Sequence, residues 1–190
     1  DKFARGGWPG VRSLPTLDSL FDSELDGELA AIGAAISDFK VALEQRVAWM
    51  KEWLVSGAEP DGYRAGVVAE KEDMVQALES GQIQINTAAN GKIAVVISTH
   101  RAGTSLGYLV APVVVATNPS FSFGGGEPHV KHTICAFEAG KYADIKSALA
   151  ELNELEPGWG GSPTIGGSPQ GISSTLTTQQ VVDVVAKHIL

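Results

Sequence analysis

The chain has 190 residues, 44% of them hydrophobic and 19% charged, with a formal net charge of −8. That length suits one domain, or one domain with a helical appendage, and a globule of this size buries roughly 70% of its unfolded surface without a disulfide or metal staple. No apolar run approaches the roughly 18 residues a membrane-spanning helix needs, and the acidic balance disfavours nonspecific binding to nucleic-acid backbones, which takes clustered Lys and Arg.

The first residues, Asp1-Lys2-Phe3, bring neither an initiator Met nor a basic segment leading into an apolar one. They read as the start of a segment cut from a longer chain, with no signal peptide visible. Cys135 is the only cysteine, so a reducing, cytoplasmic setting is the expectation. Charge is uneven along the chain: residues 1–80 hold 15 acids against 8 bases, residues 81–190 hold 7 against 6. An anionic ligand is repelled less by the second part.

Residues 1–15 are rich in Gly and Pro without an apolar period and read as an irregular lead-in. Leu29, Ile32, Ile36, Phe39, Leu43, Met50 and Trp53 then recur at steps of three and four, with Arg46 interrupting and Val47 substituting. This pattern predicts one helix of about ten turns over 17–56. Thr16 or Asp18 caps its start, acids favour its early turns, and Gly57 and Pro60 end it. Its apolar stripe packs on its own domain or on a neighbouring one; the other reading is a homodimer through this helix. Trp49 and Trp53, one turn apart, read as packing residues.

Glu70–Ser80 predicts a short helix closed by Gly81. The alternation in 82–86, the turn signal Asn90-Gly91 and the apolar run 92–98 predict a β-hairpin. A short helix over 105–111, ended by Pro112, leads to a buried strand over 113–117. A loop at 118–128, containing Phe121, Phe123 and three glycines, precedes a strand over 130–137. An amphipathic helix follows over 142–155, then a Gly/Pro/Ser-rich stretch over 157–174, then a closing helix over 177–190 capped by Thr177 or Thr178. The expected class is α/β: a mixed β-sheet domain with flanking helices over 82–190, preceded by a long helical arm or linker over 1–81.

The strongest local feature is the run from Pro157 to Gly171, with six glycines and two Gly-Gly-Ser-Pro units. Adjacent glycines let successive backbone N–H groups converge, and such a concave set binds anions without a cationic side chain. Ser162, Thr164 and Ser168 add hydroxyls. The run is neither a P-loop, for it lacks the Gly-Lys-Ser/Thr ending, nor a dinucleotide fingerprint, for no strand leads into it. The competing reading is an ordered surface loop without a ligand.

Taken in order, the strand over 92–98, helix over 105–111, strands over 113–117 and 130–137, helix over 142–155, glycine-rich loop and closing segment resemble the DHH-associated domain, the C-terminal half of DHH-family phosphoesterases. The likeness covers about residues 90–190. That family carries a glycine-rich motif, GGGGHPxAAG, facing the catalytic domain and holding the substrate phosphate. The corresponding run here is Gly158-Trp159-Gly160-Gly161-Ser162-Pro163. The helix joining the two lobes of the family is similar to the arm at 17–56. Ser162 stands where the family has a histidine, and only Lys131 or His132 stands in for an arginine the family usually carries on the preceding strand. No Asp-His-His and no Asp-x-Asp occurs in the chain. The resemblance therefore implies no cofactor in this segment, and a divalent metal such as Mn in a further domain, because hydrolysis of this kind needs a metal-activated water.

His129 and His132, three apart on a strand, point to opposite faces and do not share a metal simply. His100-Arg101 follows a buried strand and opens a helix start at Thr104 and Ser105, a good position for an anionic group; a solvated turn is the plainer reading. His188 favours a helix dipole, and Cys135 reads as core. A serine hydrolase is not expected, since no serine reads as standing directly after a strand in the nucleophile-elbow form.

The expectation is thus the substrate-binding C-terminal portion of a DHH-like phosphoesterase, inactive by itself. Its partner is a phosphorylated small molecule or a short oligonucleotide, such as a dinucleotide, or pyrophosphate. Its phosphate-binding residues are Gly158, Gly160, Gly161, Ser162, Gly167, Ser168, His100 and Arg101. The alternative is a noncatalytic oligomerisation or regulatory module using the heptad helix, and no membrane partner is expected in either case.

Overall fold

The computed structural model describes residues 7–122 and 124–190. Residues 1–6, which include the start of the lead-in, and Phe123 of the loop at 118–128 lie outside the described residues. The chain divides into two compact units: Pro15–Gln76, and Ala77–Leu190 with the described part of the segment up to Leu14.

The smaller unit holds α1 (Glu24–Ile36), α2 (Leu43–Ser56) and most of α3 (Tyr63–Glu79). The single helix expected over 17–56 is therefore broken. Ser23, not Thr16 or Asp18, caps α1, its hydroxyl accepting from the Asp26 amide. At the break the Asp38 carboxylate accepts from the Lys40 amide at 3.0 Å and from the Tyr63 hydroxyl at 2.9 Å. The Arg46 guanidinium donates to the carbonyls of Ile36 and Val41, at 2.8 and 3.1 Å. A carboxylate that turns its own backbone and a cation that satisfies the freed carbonyls together end one helix and let another begin. In the heptad pattern Arg46 is only an interruption, and Asp38 leaves no mark. Gly57 at φ +73 closes α2 as expected. The third helix starts seven residues before the predicted Glu70, because Gly66, Val67 and Val68 lower the propensity of a first part that nonetheless folds as helix.

In the larger unit β1 (Ile83–Ala88), β2 (Ile93–Ser98), β3 (Val113–Phe121), β4 (His129–Ala136), β5 (Gly160–Gly161) and β6 (Ile165–Gly167) form one sheet in the order β1-β2-β3-β4-β6-β5. Only β2 and β3 pair in parallel, joined through α4 (Gly103–Val110), and the other neighbours are antiparallel. The α/β class with a mixed sheet and flanking helices, expected from the sequence, is the one the chain adopts. The predicted hairpin forms with Ala89, Asn90 and Gly91 all at positive φ. The strand expected to stop at 117 runs on to Phe121, past a register shift between Asn118 and Phe121. Pro119 lies within that shift, where a residue without an N–H costs no ladder bond.

One face of the sheet carries the core. Ile93, Val113, Val115, Ile134 and Ala136 pack with Ile145, Ala148, Leu149 and Leu152 of α5 (Ile145–Leu155) and with Val181, Val182 and Val185 of α6 (Thr178–Lys187). The reciprocal Thr177/Gln180 capping box starts α6. On the opposite face α4 lies chiefly against β2 and β3. It comes so close that a Cβ on Gly107 would stand 2.7 Å from Val114. Beyond α4 that face is half-buried at Ala116, Asn118 and Thr133, which is where the clefts described below open. No described helix is long and apolar enough to cross a membrane.

Candidate functional site

The glycine-rich run, expected to be without regular structure, folds as a hairpin on the edge of the sheet. Gly160 and Gly161 of β5 pair with Gly167 and Gly166 of β6, and β6 pairs in turn with Thr133–Cys135 of β4. Glycine carries no side chain, so period-2 alternation leaves no trace of such a strand in the sequence. The Gly161 position admits nothing larger: a Cβ there would stand 2.2 Å from the Ile165 carbonyl oxygen.

This folding corrects the expected convergence of amides. The Ser162 amide donates to the Ile165 carbonyl at 2.7 Å, and the Ser168 amide to the His132 carbonyl at 3.0 Å. The Ser162 hydroxyl closes the turn by accepting from the amides of Thr164 and Ile165. The Ser168 hydroxyl is buried and accepts from the His132 amide at 3.0 Å. The Gly158 amide, at φ +109, donates to the Asn153 side chain. The amides of Gly158, Ser162 and Ser168 and the hydroxyls of Ser162 and Ser168 are thus engaged within the protein.

The hairpin instead supplies a wall without side chains. Gly158, Gly160, Gly166, Gly167 and Ser168 line a cleft of about 400 Å³ together with Lys131, Thr133 and Gln170. Gly161 and Ser162 do not line it. A second cleft of about 440 Å³ lies over the half-buried sheet face, bounded by Ser98, His100, Arg101, Thr104, Asn118 and Phe121. It shares Lys131, Thr133 and Gln170 with the first. The two halves of the predicted site, 158–168 and 100–101, are thereby brought to one surface with Lys131 between them.

Lys131 is 8% exposed, and its ammonium donates to the carbonyls of Ser168 and Pro169. Burial pulls its pKa below the ordinary lysine value. An ammonium has three donors, so one N–H remains beyond the two carbonyls. Arg101 is exposed at the turn into α4. The His100 ring accepts the Ala102 amide on Nδ1 at 3.1 Å, which fixes its edge toward the turn. The first turn of α4 has no side-chain cap, and its Gly103 amide donates to the His100 carbonyl at 3.2 Å.

Sequence reasoning weighed Lys131 only as a stand-in and passed over Thr133, Asn118 and Gln170. Its available signal was the alternation along β4. Lys131 and Thr133 face the cleft, while His132 and Ile134 face the helices. The His132 ring lies between Thr117 Oγ1 on Nδ1 and the Leu176 carbonyl on Nε2, each at 2.9 Å. His129 sits edge-on to Phe121. Among the described residues no group of three His, Cys, Asp or Glu side chains is placed to hold a metal ion. The His188 ring contacts Glu151 at 2.9 Å, and Cys135 is buried.

No protein-family model matches the chain, and no curated protein matches it.

Proposed function

We propose that this chain is the substrate-holding C-terminal portion of a DHH-like phosphoesterase. A phosphorylated small molecule or short oligonucleotide lies in the paired clefts, and a metal-bearing domain outside this segment carries out the hydrolysis. The observation that carries the reading is Lys131, a buried cation in the wall shared by both clefts, with the glycine hairpin on one side and the Arg101 turn on the other. A lysine is costly to bury, and its remaining N–H, the uncapped start of α4 and Arg101 together suit a phosphoryl group better than a neutral ligand. The glycine wall lets a bulky anion approach the strand backbone, replacing the amide cradle as the role of that motif. The described residues offer no metal site, so the part proposed for this segment is to bind and orient. The cytoplasm is the compartment proposed for it, on its single buried cysteine.

The test is an NMR titration of the full chain with phosphate, pyrophosphate and a 5′-phosphorylated dinucleotide. Saturable shifts at the amides of Lys131, Gly160, Gly166 and Gly167 support the reading. Absent or non-saturating shifts there defeat it.

A second reading, a noncatalytic assembly module, draws on one observation: Leu43, Val47, Leu54 and Val55 of α2 are exposed. Sedimentation distinguishes the two, since a tight dimer indifferent to phosphate favours the assembly module.

A further inference from the structure

Glu156, at the end of α5, is 9% exposed and has no counter-ion among its hydrogen-bond partners. Its Oε2 accepts from the Trp159 indole at 2.8 Å and from the Ser174 hydroxyl at 2.7 Å. Its Oε1 accepts from the Thr175 amide at 2.6 Å and the Thr175 hydroxyl at 2.9 Å. A carboxylate has about four acceptor sites, and all four are engaged by neutral donors. Those donors fall in two groups, Trp159 at one end of the segment 159–174 and Ser174 with the adjoining Thr175 at the other. The middle of that segment is the hairpin that walls the cleft against Lys131.

A buried charge with no ionic partner is expensive to keep. Here it joins the two ends of a loop to each other, a closure that costs entropy, while the bonds of Ser173 and Ser174 with Val130 and of Ser168 with His132 tie the same loop to β4. The neighbouring strand β4 carries His129, Lys131, His132 and Cys135, of which His132 stacks on Trp159 and interacts electrostatically with Glu156. The 174–176 segment presents hydroxyls and backbone only, and α6 presents Thr178.

We propose that Glu156 is the positioning residue of the cleft: its carboxylate fastens both ends of the 159–174 strap and thereby sets the Gly166–Ser168 wall against Lys131. This rests on the reading of the cleft as an anion site. Glu156 touches no ligand itself. It acts through Trp159, Ser174 and Thr175.

The test compares wild type with Glu156→Gln in the full chain, using sulfate as the probe. The amide keeps the shape but turns one acceptor oxygen into a donor facing donors. Sulfate affinity is expected to fall about tenfold, the loss of one charge-assisted bond's worth of order. The Trp159 indole proton should lose its downfield shift, and the amides of 160–168 should exchange about tenfold faster while those of β2 and β3 do not change. Trp159→Phe, which removes one of the four donors, should shift affinity the same way by less. Unchanged affinity and unchanged exchange at 160–168 in a folded Glu156→Gln protein would overturn the proposal, as would loss of affinity accompanied by equal loss of protection in β2 and β3. Failure of wild type to bind sulfate would instead sink the reading of the cleft, and the exchange comparison would still judge the strap.

Discussion

The His132 imidazole and the Trp159 indole lie face to face, with 6.1 Å between ring centroids and 9° between planes. A carbonyl only accepts, so His132 Nε2 carries the proton that goes to Leu176. His132 Nδ1 then accepts from Thr117 Oγ1, which accepts in turn from Thr178 Oγ1. One neutral ring thereby joins β3, β4, α6 and the glycine-rich strap.

That arrangement has a pH signature. Burial holds His132 below the ordinary value of 6.5, against the opposing pull of the Leu176 carbonyl and Glu156. In Glu156 burial pushes upward, but the bonds from Thr175, Ser174 and Trp159 win and leave it below 4.5. Both groups bind fewer protons folded than unfolded, so each contributes stability above its unfolded value that is lost as pH falls toward its folded value. Thermal melts should drop in two stages on acidification, the first starting near 6.5 and the second near 4.5. His132→Gln should remove the first stage and keep the second. A melting temperature that does not change until the carboxylate range would contradict the role given to His132.

Glycine substitutions separate space from conformation in the hairpin. Alanine at Gly161 would bring its Cβ within 2.2 Å of the Ile165 oxygen, and alanine at Gly166 within 2.6 Å of Leu149. Each should cost about 1–3 kcal/mol by overpacking. Gly160→Ala meets nothing within 4 Å and should stay within about 0.5 kcal/mol of wild type. Denaturant melts of the three variants are the check, and equal costs would argue against the hairpin.

Lys131→Met keeps most of the length of the side chain, one atom short, and removes its charge. Phosphate affinity should weaken by about tenfold or more, the range expected for a hydrogen bond from a charged donor. Calorimetric titration reads this, and an affinity equal to wild type would remove Lys131 from the site.

Arg46→Met tests the break between α1 and α2. Losing the guanidinium bonds to Ile36 and Val41 should cost about 1–3 kcal/mol. A continuous helix over this region would make the same change nearly neutral. Val55→Lys, at a side chain 89% exposed, serves as the control and should stay within about 0.5 kcal/mol.

Legibility in the sequence follows where side chains carry the signal. The β1–β2 hairpin could be read because Asn90-Gly91 names its turn, and α5 and α6 because Leu149, Leu152, Val181 and Val185 repeat at helical spacing. His100-Arg101 and the 158–168 run are read from separate local motifs, and nothing in the sequence places them on one surface. The strand character of 160–161 and 165–167 could not be read, since glycine pairs leave no alternation. Nothing in the sequence sets Glu156 apart from Glu151 or Glu154 nearby.

By itself, then, the sequence determined the α/β class, the order of most elements and the local chemistry of a glycine-rich turn, because periodicity and turn residues act over a few positions. Tertiary structure alone decided that the glycine run pairs as a hairpin on the sheet edge, that Lys131 lines two clefts, and that Glu156 bonds to both ends of the strap. Those outcomes depend on hydrogen-bond partners distant in the chain, such as His132 for Ser168 and Thr175 for Glu156. Which partner a polar group finds is settled by the packing of the whole sheet and not by its neighbours in sequence.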